Sequence, residues 1–460
     1  MQAIGIFYTI YVMCYATFLW IGVVVGAYRL YNQTRMKKVK NELKHHFYFP
    51  VSILVPAYNE EVTIIDTVRS LLDLDYKLYE IIVIDDGSKD QTSQVLIDAF
   101  NMEMVHRPIR MQVPCKPQEA IYEVMSGNIK ITLIRKVNGG KGDALNMGIN
   151  ASSSPYFLCI DADSMLQSDS LEKMVQPLLE DDRIIAVGGL IRVAQCARIE
   201  KGKVVKYSIP WRPIIGVQVM EYMRSFFISR ILMDQFNGNM IISGAFGLFK
   251  KDIVVAVGGY DAHTLGEDME LVVKMHLFCR HNNIPYAMKY EHDAVCWSQC
   301  PTKLKDLITQ RRRWHLGLFQ SMHKYRQVFI NHKFGMLSFA SYMYYLFYEL
   351  LAPFIEVFGL IVILIGWWMH LINLRFIIDF FIVYSFYNML LTLTAFFQTL
   401  YVEHIKITFK DVMKAICMCM LENFLFRYII AAIRATAFIG YKKRKVQWGR
   451  IQRMEQNNNL

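Results

Sequence analysis

The stretch Ile81-Ile82-Val83-Ile84-Asp85-Asp86-Gly87-Ser88 joins four β-branched apolar residues to an acidic turn. A short apolar run that ends in turn-forming residues is typical of a buried β-strand. An acidic cluster in this position is, taken alone, most often a turn or a helix N-cap. The neighbouring segments therefore decide whether this strand end is structural or functional.

Four further apolar runs of the same kind alternate with amphipathic segments between Pro50 and about residue 190. They are Val51 to Val55, Ile131 to Ile134, Tyr156 to Ile160 and Ile184 to Val187. Strands that alternate with helices predict βαβ units, and hence an α/β fold with a mostly parallel sheet. Ligands of such folds bind beyond the carboxyl ends of the strands.

Polar residues follow three of these strands directly. The first strand leads into Pro56-Ala57-Tyr58-Asn59-Glu60, the second into Asp85-Asp86, and the fourth into Asp161-Ala162-Asp163-Ser164. Equivalent ends of parallel strands meet at one edge, so the three clusters are expected to converge on one crevice. Asp161 and Asp163 offer hard oxygen ligands that suit Mg²⁺ or Mn²⁺, and such an ion would bridge the phosphates of a nucleotide diphosphate.

A glycine-rich segment, Asn138 to Asn146, lies between the third strand and the next helix. Glycines before a helix bring backbone N–H groups and Lys141 close to a phosphate, whereas a flexible loop is the alternative. The segment is not a Walker loop because Gly142 follows the lysine. Residues 101–127 form a long excursion to which the sequence assigns no role.

Beyond residue 195 the pattern is less regular, but two small motifs stand out. Ser243-Gly244-Ala245-Phe246-Gly247 either lets an acceptor approach the backbone or forms a turn. Gly266-Glu267-Asp268 opens an amphipathic segment, where the acidic pair either caps a helix or supplies a general base. With the upstream clusters present, Asp268 is the candidate base toward an acceptor hydroxyl.

The run Gln310-Arg311-Arg312-Arg313-Trp314 stands where the soluble-looking sequence ends. Basic and aromatic side chains collect at membrane interfaces, so a juxtamembrane anchor is one interpretation. The other is an active-site segment, in which Arg313 binds a diphosphate bidentately and Trp314 stacks on the apolar face of a sugar.

The hydropathy pattern predicts membrane segments on both sides of this region. Residues 1–28 carry no charge and form a predicted transmembrane helix, which a basic cytosolic linker follows at 29–49. The predicted catalytic domain covers 50–333, the membrane region 334–440 and a basic cytosolic tail 441–460. Pro353 is expected to break the first helix of the membrane region. The charges Glu422, Arg427 and Arg434 favour an interfacial position for its last segment.

The composition excludes several other classes of protein. Hydrophobic residues make up 54% of the 460 residues, and the net charge of +11 lies largely beside apolar segments rather than in a nucleic-acid-binding motif. Nine cysteines without a regular framework indicate reduced thiols. His292, Cys296 and Cys300 lack a fourth ligand for zinc.

The ordered set Asp85/Asp86, Asp161-Ala162-Asp163, Gly266-Glu267-Asp268 and Gln310 to Trp314 resembles the D, DxD, D, QxxRW pattern of membrane-embedded family 2 glycosyltransferases. That family includes the cellulose, hyaluronan, chitin and poly-N-acetylglucosamine synthases. The resemblance covers about residues 50–320 and the flanking apolar layout. It implies a GT-A fold, a Mg²⁺ or Mn²⁺ cofactor and inverting transfer from a UDP-sugar.

The resemblance also implies roles for individual residues. The nucleotide would contact Asp85, Asp86, Lys141 and Arg313, the metal would bind Asp161 and Asp163, Asp268 would be the base, and the acceptor would meet Ser243, Gly244, Gln310 and Trp314. Gly266 departs mildly from the family's third acidic motif, in which Thr is frequent. Residues 442–460 are too short for the regulatory domain of bacterial cellulose synthases, which argues against that enzyme.

The leading hypothesis is a processive synthase in the plasma membrane, with several crossings and a cytosolic catalytic domain. It would extend a polysaccharide by a hexose or N-acetylhexosamine and translocate it, with membrane lipids and accessory export subunits as candidate partners. The alternative is non-processive glycosylation of a lipid acceptor at the cytosolic leaflet. A third hypothesis is a non-catalytic membrane sensor or assembly subunit that retains nucleotide binding.

Overall fold

The computed structural model describes residues 2–42, 48–402, 405 and 407–440, so the predicted basic tail at 441–460 lies outside the described residues. All five strands predicted from apolar runs are present. The strands are β1 Val51–Ala57, β2 Tyr79–Asp85, β3 Glu103–Val105, β4 Gln118–Ser126, β5 Ile129–Lys136, β6 Tyr156–Ile160, β7 Ser164–Leu166, β8 Ile184–Val193, β9 Ala197–Glu200, β10 Lys203–Tyr207, β11 Phe246–Lys250 and β12 Ala287–Ser298.

The helices divide into those that cover the sheet and those near the two ends of the chain. They are α1 Gln2–Glu42, α2 Ile64–Leu72, α3 Thr92–Phe100, α4 Lys141–Ala151, α5 Ser170–Glu180, α6 Pro213–Arg224, α7 Ile231–Asp234, α8 Lys251–Ala256, α9 Glu267–His281, α10 Leu304–Lys324, α11 Ala352–Trp368, α12 Leu374–Val402, α13 Phe409–Leu421 and α14 Arg427–Ala435. Helix α1 continues past residue 28, so part of the segment predicted as a linker is helical.

Ten strands form one sheet in the order β3-β4-β5-β2-β1-β6-β11-β8-β12-β7. The central strands β5, β2, β1 and β6 pair in parallel, as do β8 and β12, whereas the other neighbours are antiparallel. The predicted α/β fold is therefore confirmed, with a mixed sheet that is parallel at its centre. Strands β4 and β5 must pair antiparallel because only two residues connect them.

Side chains of β1 alternate between two apolar cores. Ile53 and Val55 contribute to the core on one face of the sheet, and Leu54 contributes to the core on the other face. Every residue of β1 is buried. Burial on both faces explains why this strand is a continuous apolar run rather than an alternating one.

Two parts of the chain are more regular than the sequence predicted. The excursion at 101–127 contains β3 and β4, which extend the sheet beyond β5. Helices α6 and α7 form one continuous helix through the π-helical segment Ser225–Arg230. That helix packs against β8 on one side and against α12 and α13 on the other. Polar residues such as Gln218, Arg224 and Arg230 lie on several of its faces, so it lacks the clear amphipathic pattern that predicts a helix.

Three helical segments of the described chain are long and apolar enough to cross a membrane: Ala3–Asn32, Leu374–Leu400 and Phe409–Phe438. A fourth candidate is the pair Leu337–Leu350 and Ala352–Trp368, which is bent by 49°. Pro353 lies in the first turn of the second helix of this pair, as expected for a residue that ends the preceding helix.

The three charges that the sequence analysis named in the last helical segment are each paired within the protein. Glu422 meets Arg224 at 2.7 Å, Arg427 meets Glu356 at 2.9 Å, and Arg434 meets Glu349 at 2.8 Å. These pairs connect α14 and the π-helical segment Glu422–Phe426 to α6, to α11 and to the segment Tyr345–Leu350. Paired charges tolerate an apolar surrounding better than isolated ones, so the charge argument for an interfacial position is weaker than the sequence suggested.

Candidate active site

The predicted acidic clusters lie at one edge of the sheet. Strand β1 pairs in parallel with β2 on one side and with β6 on the other. Asp85 is the last residue of β2, and Asp161 follows the last residue of β6. Parallel neighbours end on the same side, so the structure brings these two clusters to one edge as predicted.

Asp86 holds the glycine-rich loop in place. Its carboxylate accepts hydrogen bonds from Gly139 N–H at 2.9 Å and Gly140 N–H at 2.7 Å, and it pairs with Lys136 Nζ at 2.7 Å. Asp86 and Lys136 are both fully buried. Gly140 adopts a φ of +93°, which favours glycine. The carboxylate of Asp86 is therefore used to shape the loop that leads into α4.

Asp85 is also engaged within the protein. Its carboxylate accepts hydrogen bonds from Ser88 N–H at 2.8 Å and from the Ser93 hydroxyl. These bonds fix the turn after β2 and the start of α3. Contact of Asp85 and Asp86 with a nucleotide remains a prediction.

Lys141 reaches from the start of α4 to the acidic cluster after β6. Its Nζ lies 2.5 Å from Asp161 Oδ1 and 3.7 Å from Glu267 Oε1. Burial alone would lower the pKa of Lys141, but the Asp161 and Glu267 carboxylates outweigh it and raise this pKa. The lysine therefore stays charged and places a cation beside the acidic cluster, at the predicted phosphate-binding position.

Gly244 sits where Lys141 and Asp268 meet. A Cβ atom at Gly244 would lie 3.3 Å from Lys141 Nζ and 3.5 Å from Asp268 Cβ. The Gly244 N–H donates to Asp268 Oδ2 at 3.4 Å, and the Ala245 N–H donates to Ser243 Oγ at 3.4 Å. The structure thus brings the predicted acceptor turn, the predicted base and the predicted phosphate-binding lysine together.

Helix α10 presents the Gln310 to Trp314 motif beside this cluster. Burial raises the pKa of Glu267, and the positive charges of Lys141 and Arg313 oppose this rise. Gln310 is buried, and its Oε1 has no hydrogen-bond partner among the described residues. Trp314 is 40% exposed. The motif therefore offers a cation, a buried acceptor atom and an open aromatic face.

Arg311 supports Trp314, a role that the sequence did not predict. The Arg311 guanidinium binds Glu221 with both ends, at 2.9 Å and 2.7 Å, and lies 4.6 Å from the centre of the Trp314 ring. A bidentate pair holds the guanidinium in one orientation, and the cation then stabilises the ring above it. Glu221 belongs to α6, so this helix, which the sequence analysis did not predict, helps to position Arg311 and Trp314.

Two glycines allow α9 and α10 to touch. A Cβ atom on Gly317 would lie 2.7 Å from both Gly266 Cα and Gly266 N, so neither position has room for a side chain. Gln320, one turn further along α10, accepts hydrogen bonds from Thr264 Oγ1 at 3.1 Å and Leu265 N–H at 2.8 Å. The close contact with Gly317 explains why residue 266 is a glycine.

We expect Gly317→Ala to lower both activity and stability. The added methyl group would separate Asp268 on α9 from Arg313 on α10, and overpacking of this kind destabilises a protein by about 1–3 kcal/mol. A displacement near 1 Å at a site can cost about 100-fold in rate. Glycosyl transfer and thermal unfolding of the purified variant would measure both effects. Gly5→Ala is the matched control because a Cβ atom at Gly5 meets nothing within 4 Å.

The carboxylates of Asp161 and Asp163 suit a divalent cation that substrate phosphates would also coordinate. Among the described residues, no group of three or more His, Cys, Asp or Glu side chains could bind a metal ion alone. Asp161 and Asp163 supply hard oxygen atoms, and Mg²⁺ is often bound by one or two carboxylates plus substrate phosphates. These two carboxylates fit such an ion. In the structure, Asp161 is paired with Lys141.

Two family models match the part of the chain that contains this site. The family model described as "Glycosyl transferase family 2" matches residues 52–113, and the model described as "Glycosyltransferase like family 2" matches residues 113–317. Together they cover the strands and motifs that build the site.

Two curated relatives are poly-beta-1,6-N-acetyl-D-glucosamine synthases. The one from Staphylococcus epidermidis is 32% identical over 283 residues, which is 62% of this chain and 57% of the relative. The one from Staphylococcus aureus strain COL is 33% identical over 267 residues, which is 58% of this chain and 54% of the relative. The chain thus matches slightly more than half the length of these relatives.

A solved structure shows the same fold over most of the chain. It is the mannosyltransferase PcManGT from Pyrobaculum calidifontis in complex with GDP-Man and Mn²⁺. The TM-score is 0.51 at 14% identity, and the match covers 92% of this chain and 98% of that one. The GT-A fold predicted for this chain is confirmed.

Proposed function

The chain belongs to the family 2 glycosyltransferases, and we propose that it transfers a hexose or N-acetylhexosamine, with inversion, from a UDP-sugar to a growing polysaccharide. The observation that carries this proposal is the meeting of Gly244, Lys141 and Asp268 beside the Arg313 helix. A donor diphosphate and an acceptor hydroxyl would each find a complementary group there. The relatives' synthase activity supports a polysaccharide as the product.

The residues divide the proposed reaction into three tasks. Asp268 takes the proton from the acceptor hydroxyl, which then attacks the donor sugar and displaces the nucleotide diphosphate. Lys141 and Arg313 bind the negative charge that develops on the diphosphate. A Mg²⁺ or Mn²⁺ ion held by Asp161 and Asp163 would add further positive charge at that leaving group. Asp85 and Asp86 bind the nucleotide, directly or through the loop that Asp86 shapes.

The acceptor would enter from the side of α10. Gln310 Oε1 is a buried acceptor atom, and a sugar hydroxyl could donate a hydrogen bond to it. Gly244 has no side chain between Lys141 and Asp268, and Trp314 offers an exposed ring face. These features support a carbohydrate acceptor that runs from the crevice toward the membrane helices.

We expect Trp314→Ala to impair acceptor use more than nucleotide binding. Stacking on an aromatic ring contributes about 0.5–1.5 kcal/mol, so KM for the acceptor should rise between about twofold and tenfold. Binding of UDP, measured by calorimetry, should stay close to that of the unmodified enzyme. Equal losses of acceptor use and UDP binding would favour the interpretation of Gln310 to Trp314 as a membrane anchor.

The contacts of the last helical segment support a membrane layout with three crossings. Asp411 near its start accepts a hydrogen bond from Ser208 at 2.9 Å, and Thr436 near its end accepts one from Arg312 at 2.9 Å. Both ends therefore touch the catalytic domain, as a helix that lies along the membrane surface would. The crossings would be Ala3–Asn32, the bent pair and Leu374–Leu400, with the catalytic domain in the cytosol and the protein in the plasma membrane.

A screen of donor sugars tests the proposal. The purified protein in lipid nanodiscs would receive single UDP-hexoses and UDP-N-acetylhexosamines with Mg²⁺ or Mn²⁺, and products would be analysed by mass. Chains that grow by many units support processive synthesis. Products with a single added sugar contradict processivity, and a lipid-linked product assigns the enzyme to lipid glycosylation. The absence of transfer from every donor would refute the proposed reaction.

A further inference from the structure

Strands β9 and β10 form a hairpin that is separate from the ten-stranded sheet. The pairing of the two strands shifts between Val204 and Lys206, so the intervening Val205 has no partner across the hairpin. Such a bulge turns a side chain out of the normal alternation, and Val205 is 60% exposed. Trp211, just after the hairpin, is 62% exposed. The hairpin and its following turn thus present two apolar side chains to the surroundings.

The same segment is strongly basic. Residues 197–212 contain Arg198, Lys201, Lys203, Lys206 and Arg212 but one acidic residue, Glu200, so five positive charges and one negative charge give a net charge of +4. Arg198 pairs with Glu200 at 2.8 Å, and the other four cationic residues are exposed. We name residues 197–212 the basic hairpin.

The basic hairpin lies beside the end of a candidate membrane span. Helix α12 ends at Val402, and α13 begins at Phe409, whose side chain is 78% exposed. Ser208 donates to Asp411 Oδ1 at 2.9 Å and accepts from Lys414 Nζ at 3.3 Å. The hairpin is therefore fixed to the first turn of α13, where the chain continues from an apolar span.

We propose that the basic hairpin binds anionic lipid headgroups, with Val205 and Trp211 inserted among them. Lysine and arginine near a membrane surface are attracted to anionic lipids, and tryptophan favours the headgroup level because its ring is apolar with one polar N–H. An acidic soluble protein would satisfy the charges, but it would not account for exposed apolar residues next to a membrane span. The inference concerns the docking of the catalytic domain, and it holds whichever donor and acceptor the enzyme uses.

Fluorescence of Trp211 in the full-length protein tests this contact. A measurement of total lipid binding would not test it, because the membrane helices and other basic segments would also bind lipid. The protein and its Trp211→Phe variant would be placed in nanodiscs that contain brominated phosphatidylglycerol or brominated phosphatidylcholine, since bromine quenches tryptophan at close range. The difference between the two proteins isolates the signal of Trp211 from that of the other tryptophans.

We expect the Trp211 signal to be quenched by both lipids and more strongly by the anionic one. Lys206→Glu should reduce the preference for phosphatidylglycerol by at least about fivefold, because the attraction of one cationic residue is lost and the new carboxylate repels the anionic headgroups. Arg110→Glu, an exposed cation in the segment between β3 and β4 at the opposite end of the sheet, should leave the preference unchanged.

Two results would overturn the proposal. A Trp211 signal that neither lipid quenches would place the residue away from the membrane. Equal quenching by the two lipids that does not change in Lys206→Glu would show that the hairpin does not recognise the charge of the headgroups. Thermal unfolding of each variant would verify that the substituted proteins are folded, which is expected because the substituted side chains are exposed.

Discussion

Replacement of Asp268 by Asn is expected to reduce the turnover number by about 100-fold to 10,000-fold, the usual contribution of a general base. Asparagine has nearly the same shape and keeps an oxygen that can accept the Gly244 N–H, now 3.4 Å from Asp268 Oδ2. It cannot take a proton from an acceptor hydroxyl. Initial rates with a saturating UDP-sugar donor would measure the loss, and calorimetry would show that UDP still binds.

The matched control is Asp261→Asn. Asp261 is an acidic residue close to Asp268 in the sequence, but its carboxylate is partly exposed and pairs with Lys324 at 2.7 Å. Its replacement by Asn should change turnover by no more than about fivefold, since partly exposed pairs contribute about 0–1 kcal/mol. Turnover of Asp268→Asn within tenfold of the unmodified enzyme would contradict the assignment of Asp268 as the base.

Lys136→Met should cause the largest loss of stability. Lys136 Nζ lies 2.7 Å from Asp86 Oδ1 and 2.6 Å from Asp143 Oδ1, and the lysine side chain is fully buried. Methionine fills a similar volume but leaves two carboxylates without their cation. Breaking a buried ion pair by removing one partner costs about 3–5 kcal/mol. Thermal unfolding of the purified protein should therefore show a markedly lower midpoint.

A second lysine on the same strand provides the control. Lys130 pairs with Glu123 at 2.8 Å, but its side chain is partly exposed. Lys130→Met should change stability by about 1 kcal/mol or less, because water can solvate the remaining carboxylate. Equal effects of the two substitutions would show that burial of the Lys136 cluster is not important. A loss of UDP binding in Lys136→Met alone would connect this cluster to the shape of the glycine-rich loop.

The local sequence predicted the strands whose residues form short apolar runs. The five apolar runs are strands, and the residues directly after β2 and β6 lie at one edge of the sheet. The strands are predictable because their apolar pattern lies in neighbouring residues, and the parallel pairing follows from the alternation of strands with helices. The sequence was less informative about β4 and about the helix from α6 to α7. Neither has the alternation or the amphipathic face that such analysis needs.

The side-chain partners of the site required the tertiary structure. Asp86 is an acidic residue at a strand end like Asp161, yet one is fully buried against Lys136 and the other meets Lys141 at a partly open position. The support of Trp314 by Arg311 depends on Glu221, which is 90 residues away in sequence. No spacing rule connects residues so far apart, since their proximity depends on how complete helices pack.

The sequence by itself determined the class of fold, the order of the acidic motifs and the apolar segments that flank them, because each of these is encoded by residues close together in the chain. Only the tertiary structure decided which carboxylates shape a loop and which face the crevice. It also decided how closely Gly266 approaches Gly317, and hence where Asp268 lies relative to Arg313. Burial and close contact between distant segments arise from packing, and packing is a property of the whole chain.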